Sequence, residues 1–511
     1  MSERTLIKNF SIVSAWTFLS RVLGFLRDIF LAFFLGSGPI AQAFLVAFTL
    51  PNMLRKIFAE GSFNKVFIPM FVDVKNDKRK ACNFASIIFI ILFFLLSIIS
   101  ILGIFFMPYL IKFLAFGFLN DNRFDLAILY GRILFPYILL ISLTQLFNSI
   151  LNSLNLYHMS TATQCILNLA LIGSLIFSYV IDGDFGINLC ISVILAGLLN
   201  VFLVFRSCQI NGIVVNIFQL DFTKESLERP KKFLKRFIPI GFASGVTQIN
   251  LVVGRQISSL FDGAVVWLIY ADRLAQLPVA IIAIALNIIT LPKLTEFRNK
   301  KEVGKINFYL NRSLQLSLLF SFPACVGLVL LNTEIISAIF ERGNFNANDT
   351  KKTSLALSIY SLSIIPISFQ MLFLNYYFAE KEVRIPFFYS IISVILNIIL
   401  AYSFLNYFEY LSPVIAYSAT NCLVTLFLVI QTIKRGFSFD KIFKKNSISI
   451  IFSSILMLLI LLVTKYLILD IIAFPDLNIV KLIILITLGS SSYFICIYCM
   501  SLQKRENWKF Y

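Results

Sequence analysis

Long apolar stretches recur along nearly the whole chain, and they constrain its fold more than any other feature. About fourteen of them run for roughly 20 residues, the length that an α-helix rising about 1.5 Å per residue needs to cross a bilayer. The apolar residues are continuous instead of alternating with polar ones, which indicates helices and argues against a transmembrane barrel. Hydrophobic residues make up 59% of the 511 residues and charged residues only 14%, too apolar for a soluble chain. The sequence therefore predicts an all-α polytopic membrane protein.

The predicted spans and the charges between them define a topology. The spans lie near residues 10–36, 40–66, 84–108, 124–152, 160–181, 186–206, 234–259, 264–291, 307–331, 352–379, 385–405, 411–433, 447–469 and 477–502. Lysine and arginine cluster after the second, sixth, eighth and twelfth spans, whereas loops such as GSGPIAQ, DGDFG and NYFEYLSP contain neither. The positive-inside rule then predicts that both termini are cytoplasmic. Because the net charge of +18 lies in these loops, it indicates membrane topology and not a nucleic-acid partner.

The prolines indicate an internal repeat. Pro51 and Pro278 lie in the second and eighth spans, Pro136 and Pro366 lie in the fourth and tenth, and both pairs have nearly the same separation. This pattern favours one six-helix unit used twice in the same orientation; chance alignment of kinking residues is the alternative. The predicted parts are an N-terminal six-helix lobe (1–206), a basic cytoplasmic linker (207–233), a second six-helix lobe (234–434) and two extra transmembrane helices (435–511).

Charged residues inside the first span require an explanation. An arginine or aspartate at the centre of a spanning helix costs roughly 2.5 to 3.5 kcal/mol, unless it faces protein, water or a ligand. Ser20, Gly24, Arg27 and Asp28 share one helical face, and Arg21 stands beside it. A guanidinium group donates two parallel hydrogen bonds to phosphate and keeps its charge. We therefore predict an anion-binding cavity; structural or interfacial ion pairs are the alternative.

Two further arginines extend the prediction. Arg273 follows Asp272 deep in the eighth span, and Arg55 comes one turn after the kinking Pro51. The predicted substrate-binding residues are Arg21, Arg27, Arg55 and Arg273. The predicted supporting residues of the cavity are Ser20, Asp28, Gln42, Glu60 and Asp272.

The sequence offers little for catalysis or metal binding. His158 is the only histidine, and the only C-x-x-C pair, Cys496 with Cys499, has no histidine nearby. A nucleophile paired with a base, a carboxylate pair and a Walker-type loop are all missing from the sequence. We therefore expect a transporter without a cofactor, coupled to the membrane potential or a monovalent ion.

Four sequence blocks resemble one protein family. SRVLGFLRD, AFLVAFTLPNMLRKIFAEGSFNKVFIP, FPYILLISL and YADRLAQLP are similar to the bacterial MurJ (MviN) lipid II flippases of the multidrug/oligosaccharidyl-lipid/polysaccharide exporter superfamily. The resemblance implies fourteen helices, two six-helix lobes forming a V around a central cavity, and a lipid-tail groove made by the last two helices. It also implies that Arg21, Arg27, Arg55 and Arg273 correspond to essential cavity arginines. Gln42 departs from the aspartate that many members carry at its position.

The resemblance further implies a substrate and a location. The expected function is to flip lipid II, a polyprenyl diphosphate carrying a disaccharide-pentapeptide, across the bacterial inner membrane during peptidoglycan synthesis. Expected partners are lipid II, membrane lipids and cell-wall synthesis proteins, with the chain itself a monomer. The alternatives are a flippase for another polyprenyl-diphosphate saccharide, a cation-coupled drug exporter of the same superfamily, a membrane scaffold or receptor, and an enzyme acting on a lipid-linked sugar.

Overall fold

The structure is a computed structural model that describes residues 3–58, 62–216, 221, 223–246, 248–465 and 478–502. Throughout these ranges the regular elements are helices. Contacts between residues divide the chain into two compact units, Met1–Val265 and Val266–Tyr511. The all-α class predicted from the sequence is confirmed.

Within the residues that the structure describes, the first unit contains eleven α-helices and one short 3-10 turn, Phe116–Phe118. The helices are α1 (Glu3–Leu35), α2 (Pro39–Phe58), α3 (Ser62–Val72), α4 (Lys78–Phe105), α5 (Met107–Leu114), α6 (Asn122–Leu134), α7 (Tyr137–Ser153), α8 (Tyr157–Val180), α9 (Phe185–Ile210), α10 (Lys224–Val246) and α11 (Ile249–Ser259). Phenylalanine rings from α3, α4, α7 and α10 form an aromatic core, in which the Phe63, Phe67 and Phe233 side chains are almost completely buried. Leu54 of α2, the neighbour of Arg55, packs against this core.

The remaining helices belong to the second unit. The first of them, α12, begins with the last two residues of the first unit. They are α12 (Ala264–Asn299), α13 (Val303–Leu330), α14 (Asn332–Phe340), α15 (Ala347–Ser361), α16 (Ile364–Ala379), α17 (Arg384–Ser403), α18 (Leu405–Phe408), α19 (Ser412–Lys434), α20 (Lys441–Val463) and α21 (Asn478–Leu502). Their packing pairs α17 with α19, α13 with α20, and α20 with α21. The last two helices therefore pack against each other and against α13.

Eleven helical segments within the described ranges are long and apolar enough to cross a membrane, and each coincides with a predicted span. The other three predicted spans fall on α1, on α2 with α3, and on α10 with α11. These segments carry charged residues within otherwise apolar sequence, including the candidate arginines of α1 and α2. Large apolar side chains such as Phe94 and Phe105 are exposed on the surface, as expected for a lipid-facing helix. The total of fourteen spans stays a prediction.

Two of the predicted spans are broken helices, at corresponding places of the predicted repeat. The fourth consists of α6 and α7, which meet at Pro136. The tenth consists of α15 and α16, and Pro366 lies in the first turn of α16. Proline has no N–H to donate and clashes with the preceding turn, so it interrupts a helix at such a point. Pro51 and Pro278, by contrast, lie inside the continuous helices α2 and α12.

The seventh predicted span packs with the first unit. Its helices α10 and α11 contact α2, α3, α4 and α5, so the boundary between the compact units falls after residue 265. The basic linker is helical from Lys224 onward and continues directly into this span as α10. The assignment of residues 234–434 to one lobe stays a prediction.

Candidate functional site

Arg27 lies in the interior of the first unit, where α1 packs against α8. Its side chain is 11% exposed and that of Asp28 only 3%, and the two form an ion pair with Nη2 2.9 Å from Oδ1. The Arg27 Nε donates to the same carboxylate oxygen at 3.1 Å, and Nη1 donates to Asn168 Oδ1 at 2.9 Å. Asp28 therefore pairs with Arg27, and all three guanidinium nitrogens have protein acceptors.

Asn168 organises this cluster, and the sequence analysis missed it. Its amide nitrogen donates to the Ser20 carbonyl at 3.2 Å, while its oxygen accepts from Arg27. Gly24 faces the same side chain, since a β-carbon at that position would stand in ordinary contact with the Asn168 amide nitrogen, at 3.5 Å. An asparagine inside the apolar sequence of the fifth predicted span was the available signal, since such residues usually bond between helices. Ser20, Gly24, Arg27 and Asp28 thus share one polar face of α1, as predicted.

Arg21 and Arg55 occupy other surroundings in the first unit. Arg21 is exposed on α1, one residue beyond Ser20. Arg55 is half-buried in the last turn of α2, beyond Pro51, and interacts electrostatically with the hydroxyl of Tyr137 at the start of α7. Glu60 lies outside the described residues.

Arg273 and Asp272 lie on α12 in the second unit. The Arg273 side chain is exposed despite its position in an apolar segment. Asp272 is half-buried, accepts a hydrogen bond from Gln276 at 2.6 Å and interacts electrostatically with the Tyr417 hydroxyl. An exposed guanidinium is accessible to a bound anion.

Gln42 lies apart from the arginines of α1, at the start of α2. It is completely buried, and its amide nitrogen donates to the Asp262 carboxylate at 2.7 Å and to the Ser37 carbonyl at 2.9 Å. Its oxygen accepts a hydrogen bond of 2.8 Å from Arg123 Nη1. Arg123 also bonds Asp121, with Nε 2.8 Å from Oδ2. We call Gln42, Asp121, Arg123 and Asp262 the Gln42 network.

The Gln42 network connects three segments of the first unit that are distant in sequence. Burial acts to raise the pKa of Asp121, but hydrogen bonds from Arg123 and its positive charge outweigh this and hold the pKa below its ordinary value. Nearby, the Gly117 N–H donates to the Ser259 hydroxyl at 3.0 Å, and a β-carbon on Gly117 would stand 2.4 Å from the Leu260 nitrogen. Only glycine permits this approach, so the turn before α6 is held closely against the end of α11.

Replacing Gln42 by glutamate should destabilise the first unit by about 1 to 3 kcal/mol, the cost of losing buried hydrogen bonds. The isosteric carboxylate loses the donor that faces Asp262 and Ser37 and places a second negative charge beside Asp262. Thermal unfolding of the purified full chain measures the change. Gln209→Glu is a matched control, because its surface side chain accepts only a bond from Arg206 and should tolerate the charge. An unchanged midpoint for Gln42→Glu would contradict the importance of the amide donor.

Comparison with proteins of known structure defines the class of this fold. An inward-facing multidrug MATE transporter of the MOP superfamily aligns with 81% of this chain and 94% of its own, with a TM-score of 0.69 at 15% identity. A structure titled "Lipid II flippase MurJ, inward closed conformation" aligns with 97% of this chain and 99% of its own, with a TM-score of 0.82 at 26% identity. The protein therefore has the helical fold of MOP-superfamily transporters.

Sequence comparison identifies the family. The family model described as "Lipid II flippase MurJ" matches residues 31–486. A probable lipid II flippase MurJ from Rhizobium tropici is 34% identical over 77% of this chain and 74% of its own length. The corresponding protein of Buchnera aphidicola subsp. Baizongia pistaciae is 30% identical over 91% of both chains. This chain belongs to the MurJ family and is a multi-pass protein of the bacterial inner membrane.

Proposed function

We propose that this protein flips lipid II from the cytoplasmic to the outer leaflet by alternating access. The observation that carries the proposal is the placement of Arg21, Arg27, Arg55 and Arg273 within apolar helical segments of a MurJ-family chain. Charges in such segments are costly and are retained mainly where they serve a substrate or a partner. A diphosphate joined to a polyprenyl tail supplies both the charge and the apolar part that such a chain would have to accommodate.

The arginines would bind the diphosphate in two different ways. Direct contacts to the diphosphate would come from Arg21 and Arg273, which are exposed, and from Arg55, which is half-buried. Arg27 would join them by exchanging its Asp28 partner for a phosphate oxygen, because both acceptors take the same forked pair of donors. The polyprenyl tail would remain in lipid or against α20 and α21. No nucleotide is required for any of these steps.

The membrane potential would drive the movement. With the cytoplasm negative, each negative charge that moves outward releases about 2.3 kcal/mol per 100 mV. Two charges on the diphosphate would therefore release roughly 4 to 5 kcal/mol per 100 mV. The basic loops support an orientation with both termini in the cytoplasm, in which lipid II would enter from the basic side. The chain would act as a monomer, with cell-wall synthesis proteins as further partners.

Depletion of the protein followed by analysis of lipid-linked precursors tests the proposal. We expect lipid II to accumulate in the cytoplasmic leaflet, where an added outer-leaflet probe does not reach it. Accumulation of a different polyprenyl-diphosphate saccharide would assign the protein to that substrate instead. Unchanged precursor levels together with altered drug sensitivity would favour export of a cationic drug. The similarity to MATE transporters concerns the fold alone and does not favour that alternative.

A further inference from the structure

A cavity of about 1400 Å³ lies in the first unit, and its described lining residues include none of the candidate arginines of α1 and α2. It lies between the start of α4, the first turns of α10 and four described residues that precede α10, namely Val214, Asn216, Asp221 and Thr223. The lining side chains include six basic residues, namely Lys78, Arg79, Lys80, Arg229, Lys232 and Arg236.

Specific hydrogen bonds hold the walls of this cavity together. Asn83 on α4 donates to the Asp221 carbonyl at 3.1 Å, and the Asp221 N–H donates back to the Asn83 side chain at 3.0 Å. The Asn216 N–H donates to the Ser86 hydroxyl at 3.0 Å. Arg229 Nη1 reaches the Met70 carbonyl at 2.9 Å. These hydrogen bonds join the walls to one another, so the cavity is part of the folded structure.

The four acidic residues of the lining are already engaged. Asp73 pairs with Arg229 at 3.4 Å, and Glu228 pairs with Lys232 at 3.1 Å. The other two cap backbone N–H groups: Asp77 accepts from Lys80 and Asp221 accepts from Thr223.

Three cations of the lining are left without a carboxylate in the part of the chain that the structure describes. They are Lys78 and Arg79 on α4 and Arg236 on α10, all exposed. Their charges concentrate a positive potential at the cavity, and a low-dielectric wall strengthens such a potential.

The position of Lys78, Arg79 and Lys80 adds a second, independent observation. They occupy the first turn of α4, which contains no acidic residue. The helix dipole makes this end positive, so three cations there are unfavourable and an anion is stabilising. The N-cap carboxylate of Asp77 offsets part of the dipole, and a bound anion would offset the clustered side chains.

We propose that this cavity binds a phosphate-bearing anion, at a site separate from the substrate arginines. Two arginines and a lysine suit the oxygens of one or two phosphate groups, since each guanidinium offers a forked pair of donors. The volume is ample for a diphosphate or for the head group of an anionic phospholipid. The occupant is a soluble phosphate compound or a lipid head group, and the cavity chemistry is the same for both.

Acetylation of lysines on the full-length protein, read by mass spectrometry, tests the site residue by residue. In neutral detergent, inorganic pyrophosphate should slow modification of Lys78 severalfold. The double variant Arg79→Gln/Arg236→Gln should require about tenfold more pyrophosphate for the same protection, because two charge-assisted contacts are lost. Lys441→Gln/Lys444→Gln is the matched control, since these exposed lysines begin another Asp-capped helix and do not line the cavity.

Further experiments identify which anion protects Lys78 and where it binds. Protection of Lys78 should persist in the Arg273→Ala variant, because the proposed anion site is separate from the substrate arginines. In phosphatidylcholine nanodiscs, protection by added phosphatidylglycerol without pyrophosphate would identify a lipid head group, and protection by pyrophosphate alone would identify a soluble anion. The proposal would be overturned if neither pyrophosphate nor phosphatidylglycerol slowed acetylation of Lys78, or if Lys441 were protected as strongly as Lys78.

Discussion

Replacing Arg273 by alanine is expected to abolish transport while leaving the protein in the membrane at its normal level. The side chain is exposed on α12, so its removal creates no buried cavity and should not unfold the second unit. A guanidinium group retained within an apolar segment is instead explained by a ligand that requires it. Growth of a strain depleted of its own flippase, with membrane protein levels measured in parallel, provides the readout.

Arg384→Ala is the matched control for Arg273→Ala. Arg384 is also exposed in the second unit and begins α17, and only its backbone N–H makes a bond to Glu382. This variant should support growth. If Arg273→Ala also supports growth, then the proposed diphosphate site loses its best residue. Lower membrane levels of Arg273→Ala would show that the residue stabilises the fold instead.

Replacing Asp28 by alanine is expected to cause the largest loss of stability among the variants considered. The Arg27 guanidinium would keep its charge in a buried position with only the Asn168 oxygen remaining from its three observed bonds. Breaking one partner of a buried ion pair typically costs about 3 to 5 kcal/mol. Thermal unfolding of the purified protein should show a clearly lower midpoint. Glu296→Ala, which disrupts only exposed pairs with Lys293 and Lys300, should change it little.

The double variant Arg27→Leu/Asp28→Leu separates stability from function. It removes both buried charges, and apolar replacement of a buried pair is often neutral or stabilising, so most of the lost stability should return. Transport should nevertheless fail, because no guanidinium remains to take the diphosphate. Growth supported by this double variant would show that Arg27 serves only to join α1 to α8.

The arginine predictions illustrate what local sequence can reveal. Ser20, Arg27 and Asp28 were placed on one helical face by spacing alone, and the structure shows that face against Asn168. Local spacing could not identify Asn168 as the partner of Arg27, because it lies 141 residues further along the chain. Gln42 was predicted to support the cavity because of its position in the family resemblance, and its observed partners are Ser37, Arg123 and Asp262.

The sequence by itself determined the all-α class, the location of eleven apolar spans and the charged face of α1. These features follow from hydropathy and helical periodicity, which act within a few turns of chain. Only the tertiary structure decided that α10 and α11 join the first unit, that Gln42 meets Asp262 across 220 residues, and that Lys78, Arg79 and Arg236 surround one cavity. Such contacts depend on how separate helices pack. The sequence of one helix does not specify them, because its apolar face can be buried equally well against several neighbours.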